Sequence, residues 1–192
     1  MKIYDISQEI FSCKVYPGDP KPEKKTLSAT SEGALYNLTA FSMCAHNGTH
    51  IDAPFHFLQD GKMVEQMELD IFVGDCYVAR HDGYVTAADA AAILQRAEGA
   101  LRILIAGAAT VTAEAAEVFA DAGICLLGNE SQTVGPEDAP MQVHKILLQR
   151  NVALLEGVVL RDIPAGRYFL SAVPLCLAGA DGAPCRAFLI GE

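Results

Sequence analysis

Five histidines occur in the 192 residues, and three of them sit inside one stretch, HNGTHIDAPFHF at 46–57, with an aspartate between the second and the third. Gly48, the β-branched Thr49 and Ile51, and Pro54 all oppose a helix there, so His46 and His50 are not an i, i+4 helical pair. A turn at NGT feeding an extended segment instead puts His50 and Asp52 on one face, because side chains two apart along a strand point the same way. His46 can fold back towards them across the turn. Two imidazoles and a carboxylate converging in this way form a ligand set for Zn²⁺, Mn²⁺ or another borderline divalent ion, with coordination positions left for water and a substrate. The same spacing also fits three unrelated histidines, each hydrogen-bonded in a polar loop.

Two residues downstream bear on that choice. His144 falls in the stripe Met141, His144, Leu147/Leu148 of a helical segment and so faces inward, as a satisfied core histidine or as a further ligand. Glu156 is the only charge in the apolar run VALLEGVVL at 152–160. Buried there, it costs several kcal/mol unless it is paired or holds a metal; at a strand end in solvent it needs neither. His81, in RHDGYV, has no such neighbour and reads as a surface turn residue. Cys13, Cys44, Cys76, Cys125, Cys176 and Cys185 are scattered without a C-x-x-C pair. That spacing indicates neither a zinc ribbon nor a disulfide framework and suggests small buried hydrophobes for most of them. Cys44 beside His46 leaves a thiol enzyme as a competing reading, but packing under the site is the simpler account.

The elements that must position these residues change character along the chain. The first third is strand- and loop-like: KIYDIS, a turn at YPGDP, a strand over YNLTAFSM (36–43), then the histidine stretch. From residue 86, TAADAAAILQRAEGA (86–100) and TAEAAEVFADAG (112–123) each open on a capping Thr and close on Gly, which predicts two helices. A third is expected over APMQVHKILLQRN (139–151). The apolar runs LRILIAG, ICLLG and VALLEGVVL (152–160) lie between or after them and predict buried strands. Strand and helix alternating in this way predict parallel βαβ units. The last segment, RYFLSAVPLCLAGADGAPCRAFLIGE, returns to short strands and turns that would close the sheet.

Length suits one compact domain over 1–192. Fourteen Lys/Arg against 24 Asp/Glu leave a formal charge of −10, with only KPEKK at 21–25 as a basic cluster. Such a surface repels phosphate backbones and anionic membranes, so the partner is expected to be a small molecule rather than nucleic acid. MKIYDISQEI lacks the apolar core of a signal peptide, and no apolar run reaches the length of a membrane span. A cytoplasmic protein is expected.

HNGTHIDAPFHF resembles the H-x-G-T-H-x-D-x-P-x-H signature of the cyclase family of metal-dependent hydrolases, which includes the bacterial kynurenine formamidases (arylformamidases). YDISQEIFSCKVYPGDP is similar to the family's opening strand and W-P-G-D turn, VALLEGVVLRDIPAGRYFL to its L-E-G segment, and AVPLCLAGADGAPCRAFLI to its closing G-A-D-G-S-P-x-R-A run. The resemblance implies an α/β fold of the swivelling β/β/α type, assembled as a homodimer or homotetramer. It implies His46, His50 and Asp52 as a first metal group, Asp52 with His144 and Glu156 as a second, and one or two divalent ions, Zn or Mn, per chain. His56 then takes the place of the catalytic histidine, near the metal and not a ligand.

The activity implied is hydrolysis of a small amide, of the N-formylkynurenine or the cyclic isatin type. The chain departs from the family's pattern in two places. Tyr16 stands where the family has tryptophan before P-G-D, keeping a smaller aromatic surface for substrate. GNESQTVGPEDAP replaces a T-P-S-x-D run, and its Asn129, Glu130 and Ser131 either read a substrate or are solvated loop. A metal- or ligand-binding protein of the same fold without catalysis, and a metal-dependent dehydratase or lyase, remain as alternatives.

Overall fold

The computed structural model describes residues 1–191, and its elements follow these changes of sequence character. The first third gives β1 (Lys2–Asp5), a ribbon of β2 (Glu23–Ser28) and β3 (Leu38–Ser42), and the short β4 (His50–Asp52). Then come β5 (Val73–Arg80), β6 (Gly83–Val85), α1 (Ala87–Ala97), β7 (Arg102–Ala106), β8 (Ala109–Val111), α2 (Ala113–Asp121) and β9 (Leu126–Asn129). The chain continues through α3 (Met141–Gln149), β10 (Ala153–Glu156), β11 (Gly166–Ser171), β12 (Gly182–Pro184) and β13 (Phe188–Gly191). Among the described residues no helix is long and apolar enough to cross a membrane.

The two threonine caps act as the sequence indicates. Thr86 Oγ1 accepts from Asp89 N–H while the Asp89 carboxylate accepts from Thr86 N–H, a reciprocal arrangement that satisfies donors at the start of α1. Thr112 Oγ1 accepts from Ala115 N–H at the start of α2. The helix α1 stops short of the expected residue 100 because Glu98 takes a left-handed conformation, φ 48°.

Nine strands form one mixed sheet in the order β1-β13-β11-β5-β7-β9-β10-β4-β12. Its middle, β5-β7-β9-β10, is parallel throughout, which is the expected run of βαβ units; the flanking pairs are antiparallel. Alternation along these strands sorts side chains onto two faces. Ile103, Ile105, Leu127 and Leu154 point to the helices, where they meet Ile93, Phe119, Val143 and Leu147. Leu104, Leu126 and Leu155 point to the other face and join Ile51 and Ala183 from one end of the sheet with Leu170 and Leu189 from towards the other. Strands from both flanks therefore share one core, so the sheet curls on itself with the helices as an outer layer, the expected β/β/α arrangement.

Two expectations change. The apolar run 152–160 is a strand only over Ala153–Glu156, because Gly157 takes φ 67° and turns the chain away. A Cβ at Gly157 would lie 2.3 Å from Gly48 O, so this turn tolerates no side chain. The cysteines are not mostly buried: only Cys76 is, Cys176 is exposed, and the other four are half-buried, all free thiols.

Candidate metal centre

Pairing between β4 and β10 brings the two halves of the chemistry together. Glu156 lies opposite His50, and Leu154 opposite Asp52. Ile51 and Leu155, one residue out of phase, point into the curled core, so His50, Asp52 and Glu156 point to the helix side. There α3 presents His144 beside Val143 and Leu147, and all four donor residues are buried. The site thus sits at the carboxyl end of β10, where open parallel sheets form their crevices.

His50 and His144 are held alike. His50 Nδ1 is 3.0 Å from Gly48 O and His144 Nδ1 is 2.9 Å from Pro140 O, so each ring donates through Nδ1 to a backbone carbonyl. Each Nε2 then faces carboxylates: His50 Nε2 lies 3.4 Å from Asp52 Oδ1 and 3.5 Å from Glu156 Oε2. His144 Nε2 lies 3.1 Å from Glu156 Oε1 and 3.4 Å from Asp52 Oδ2. A lone pair aimed at a carboxylate oxygen is repulsive, so a cation must stand between them, either a proton on each Nε2 or a metal ion.

Protons fill that role in the metal-free protein. Burial pulls His50 and His144 down, but hydrogen bonds to Asp52 and Glu156 outweigh it and raise both to about 10. Burial pushes the Asp52 carboxyl up, and hydrogen bonds with His144, His46 and His50 hold it well below the usual range. A metal fits the same atoms. Tetrahedral bonds of about 2.0–2.1 Å space their donor atoms roughly 3.3–3.4 Å apart, close to the separations above and longer than a charge-assisted hydrogen bond. The Nδ1-to-carbonyl bonds are the outer support that metal-ligating histidines use.

Two groups of three donors lie within 4.8 Å of one another, His46, Asp52 and His56, and His50, Asp52 and Glu156, with Asp52 common to both. This partition differs from the one implied by resemblance: His46 groups with His56 rather than with His50. His46 Nδ1 is 2.8 Å from Asp52 Oδ1 and its Nε2 is 2.9 Å from Asp181 Oδ2. Burial lowers His46, and its hydrogen bonds to Asp181 and Asp52 raise it on balance to about 10.

Asp181 is the residue the sequence reading did not single out. Its Oδ2 also lies 2.9 Å from His56 Nδ1, and hydrogen bonds from His46 and His56 hold its carboxyl far below the usual range. It stood within the quoted GADG run without a role, 125 residues from His56; only strand pairing between β12 and β4 brings it here. The neighbouring Gly182 leaves room for His46, since a Cβ there would lie 2.8 Å from His46 Cε1 and 2.6 Å from Ile51 O. Exposure rises from the buried donors to His56 at 27% and Asp181 at 41%, so this pair faces the opening. Phe57 closes the other side, 4.5 Å edge-on from His56 and 4.7 Å from the His144 ring.

The remaining candidates separate. A cavity of about 380 Å³ is lined by Lys14, Tyr16, Pro17, Gln132, Thr133 and Glu137. The Tyr16 hydroxyl donates to Glu137 O (2.7 Å). Asn129 and Glu130 serve structure: Asn129 Nδ2 donates to Ala109 O and Thr133 O, and the Glu130 carboxylate accepts from Gly107 and Leu160 N–H. Ser131 is exposed beside that cavity. His81 Nε2 meets Tyr84 O in its own turn, as expected. A larger hollow of about 510 Å³ behind Phe57, with Lys62, Lys145 and Asn151 in its wall, contains none of the donors.

The family model described as "Putative cyclase" matches residues 4–136. The chain is 34% identical over 202 residues to the kynurenine formamidase of Erythrobacter litoralis, covering 98% of this chain and 93% of that one. A solved structure titled a potential metal-dependent hydrolase with cyclase activity superposes with a TM-score of 0.84 at 29% identity, covering 98% and 96%. Isatin hydrolase A from Labrenzia aggregata has the same fold, with a TM-score of 0.86 at 20% identity over 100% of this chain and 94% of that one.

Proposed function

This chain belongs to the cyclase family of metal-dependent hydrolases, and from that premise we propose that it hydrolyses a small aromatic or cyclic amide, of the aryl-formamide or isatin type. The observation that carries this reading is the buried quartet His50, Asp52, His144 and Glu156, whose Nε2 and carboxylate atoms face one another at 3.1–3.5 Å, an arrangement that a proton on each imidazole or a metal ion satisfies. With His46 they would hold one or two divalent ions, Zn or Mn, and Asp52 is common to both groups of donors. When bound, such an ion supplies the Lewis acidity that polarises an amide carbonyl and acidifies a water.

The chain's own residues do the rest. Asp181 accepts from His56 Nδ1, which leaves His56 Nε2 as the basic nitrogen. His56, at the exposed end of the site, takes a proton from water and returns it to the leaving nitrogen, a general-base then general-acid role worth about 10²–10⁴-fold in rate. Phe57 shields the buried donors on one side. The Tyr16 ring, tied down by its hydroxyl bond to Glu137, offers an aromatic surface to the substrate ring. The products are a carboxylate and an amine. The same reading makes the protein a cytoplasmic homo-oligomer acting on a diffusible small molecule.

The test is elemental analysis of purified protein before and after chelation, with N-formylkynurenine and isatin turnover on the same samples. Bound Zn or Mn together with chelator-sensitive hydrolysis of one amide is expected. Protein that binds no divalent ion at all sinks the proposal.

A further inference from the structure

The backbone from Ser131 to Val134 is tied to the metal centre on every side. Gly157 N–H donates to Ser131 O (2.7 Å), Asn129 Nδ2 to Thr133 O (3.1 Å) and Val111 N–H to Val134 O (2.8 Å). Val134 N–H donates to the Glu156 carboxylate itself (2.8 Å). The segment is therefore a fixed wall beside Glu156 rather than a loose loop. It also lies within GNESQTVGPEDAP, where the chain departs from the family's pattern, so the resemblance assigns Gln132 and Thr133 no role.

Their side chains are not tied as the backbone is. Gln132 Nε2 and Oε1 and Thr133 Oγ1 are all buried, and none has a hydrogen-bond partner among the described residues. Thr133 as a whole is 3% exposed. Buried polar atoms in folded proteins are nearly always paired, and one left unpaired costs stability. A valine at 133 would fill the same volume without that cost, so folding does not account for the hydroxyl. Both residues line the cavity of about 380 Å³ that also holds Tyr16 and the exposed Lys14. The Tyr16 hydroxyl is already engaged by Glu137 O, which leaves its ring as an apolar wall. The hydroxyl of Thr133, the carboxamide of Gln132 and the ammonium of Lys14 can each donate, so the cavity suits a group that accepts.

We propose that Thr133 and Gln132 determine which amide this site takes, by donating to an acceptor oxygen, oxo or carboxylate, that the substrate carries beyond its scissile amide. The inference rests on the reading of the site as an amide hydrolase and deepens it. With the amide at the buried donors, the rest of the molecule reaches past Glu156 into the cavity, its ring against Tyr16 and its acceptor at the unpaired pair. An amide without that acceptor leaves the two side chains unpaired and is rejected for that reason.

Steady-state kinetics on the metal-loaded full chain tests it with three amides. Isatin has a second oxo group, N-formylkynurenine has oxo and carboxylate groups, and formanilide is a formamide with no second acceptor. Wild type is expected to prefer an acceptor-bearing amide over formanilide. In Thr133→Val and in Gln132→Met that preference, as a ratio of kcat/KM values, should fall about tenfold, the loss that one missing hydrogen bond brings, with most of it in KM. Thr133→Ser should restore it. Thr133→Val should melt no lower than wild type, because the hydroxyl has no partner to lose in the free protein. Lys14→Met then assigns the oxygen: a loss confined to N-formylkynurenine points to its carboxylate, and an unchanged ratio to an oxo group. Should one variant fail to fold, the other decides. Ratios unchanged in Thr133→Val and Gln132→Met, or formanilide taken as readily by wild type, overturn the inference and leave the hydrolase reading standing. Metal-loaded wild type that turns over no amide overturns that reading, and the inference with it.

Discussion

His50 and His144 each give Nδ1 to a backbone carbonyl and aim Nε2 at carboxylates, so protons and a metal ion compete for the same nitrogens. The consequence for stability has a definite sign. In the metal-free protein His46, His50 and His144 are raised from 6.5 to about 10. A histidine whose folded value is raised contributes stability that is complete below its unfolded value and lost as pH rises through the folded one. Asp52 and Asp181 are lowered from 3.8, so their contribution is lost only in stronger acid. Chelated protein should therefore melt at falling temperature from pH 6.5 towards 10, while metal affinity rises over that window. A melting temperature of chelated protein that is flat or climbs across it contradicts this account. Asp181→Asn tests the pair at the opening: kcat should fall about 10–100-fold, the usual cost of losing an outer hydrogen-bond partner, with metal content kept and Asp181→Glu recovering part of the loss. Unchanged turnover in Asp181→Asn would remove Asp181 from the mechanism.

At the scale of elements, three short pieces decide the site: β4, the carboxyl end of β10, and α3. Their register is strict, because a slip of one residue between β4 and β10 would turn His50 and Asp52 into the core and Ile51 towards the helices. The strand β12 holds the outer side of β4, and Gly182 permits its approach. Gly182→Ala should cost about 1–3 kcal/mol by overpacking and weaken metal binding as His46 is displaced. Thermal melting together with a metal titration checks this, and wild-type values in both would show that the contact relaxes freely. The helix α3 brings His144 with no side-chain cap of its own, so its position depends on Val143 and Leu147 packing beneath it.

For the whole molecule, a divalent ion that binds only the folded chain adds stability by mass action, about 2.7 kcal/mol at a hundredfold excess over Kd. At about 2–4 °C per kcal/mol for a chain of this length, chelation should lower the melting temperature by roughly 5–10 °C, which calorimetry with and without chelator will read. The sequence by itself determined the chemistry and half the architecture. Turn and strand geometry made His46, His50 and Asp52 candidates, whereas His56 was legible only through the resemblance of the whole stretch to the family signature. Glu156 was legible because one charge in an apolar run must be explained, and the βαβ units because caps and alternation are local signals. Tertiary structure decided what depends on distant pairing. It placed Asp181 on His46 and His56, turned Asn129 and Glu130 into backbone supports, ended β10 at Glu156, and left the β2–β3 ribbon without a buried residue. The physical reason is the same in each case: periodicity and residue type encode which face of an element is apolar, whereas which element lies opposite that face is fixed only when the sheet curls and its ends meet.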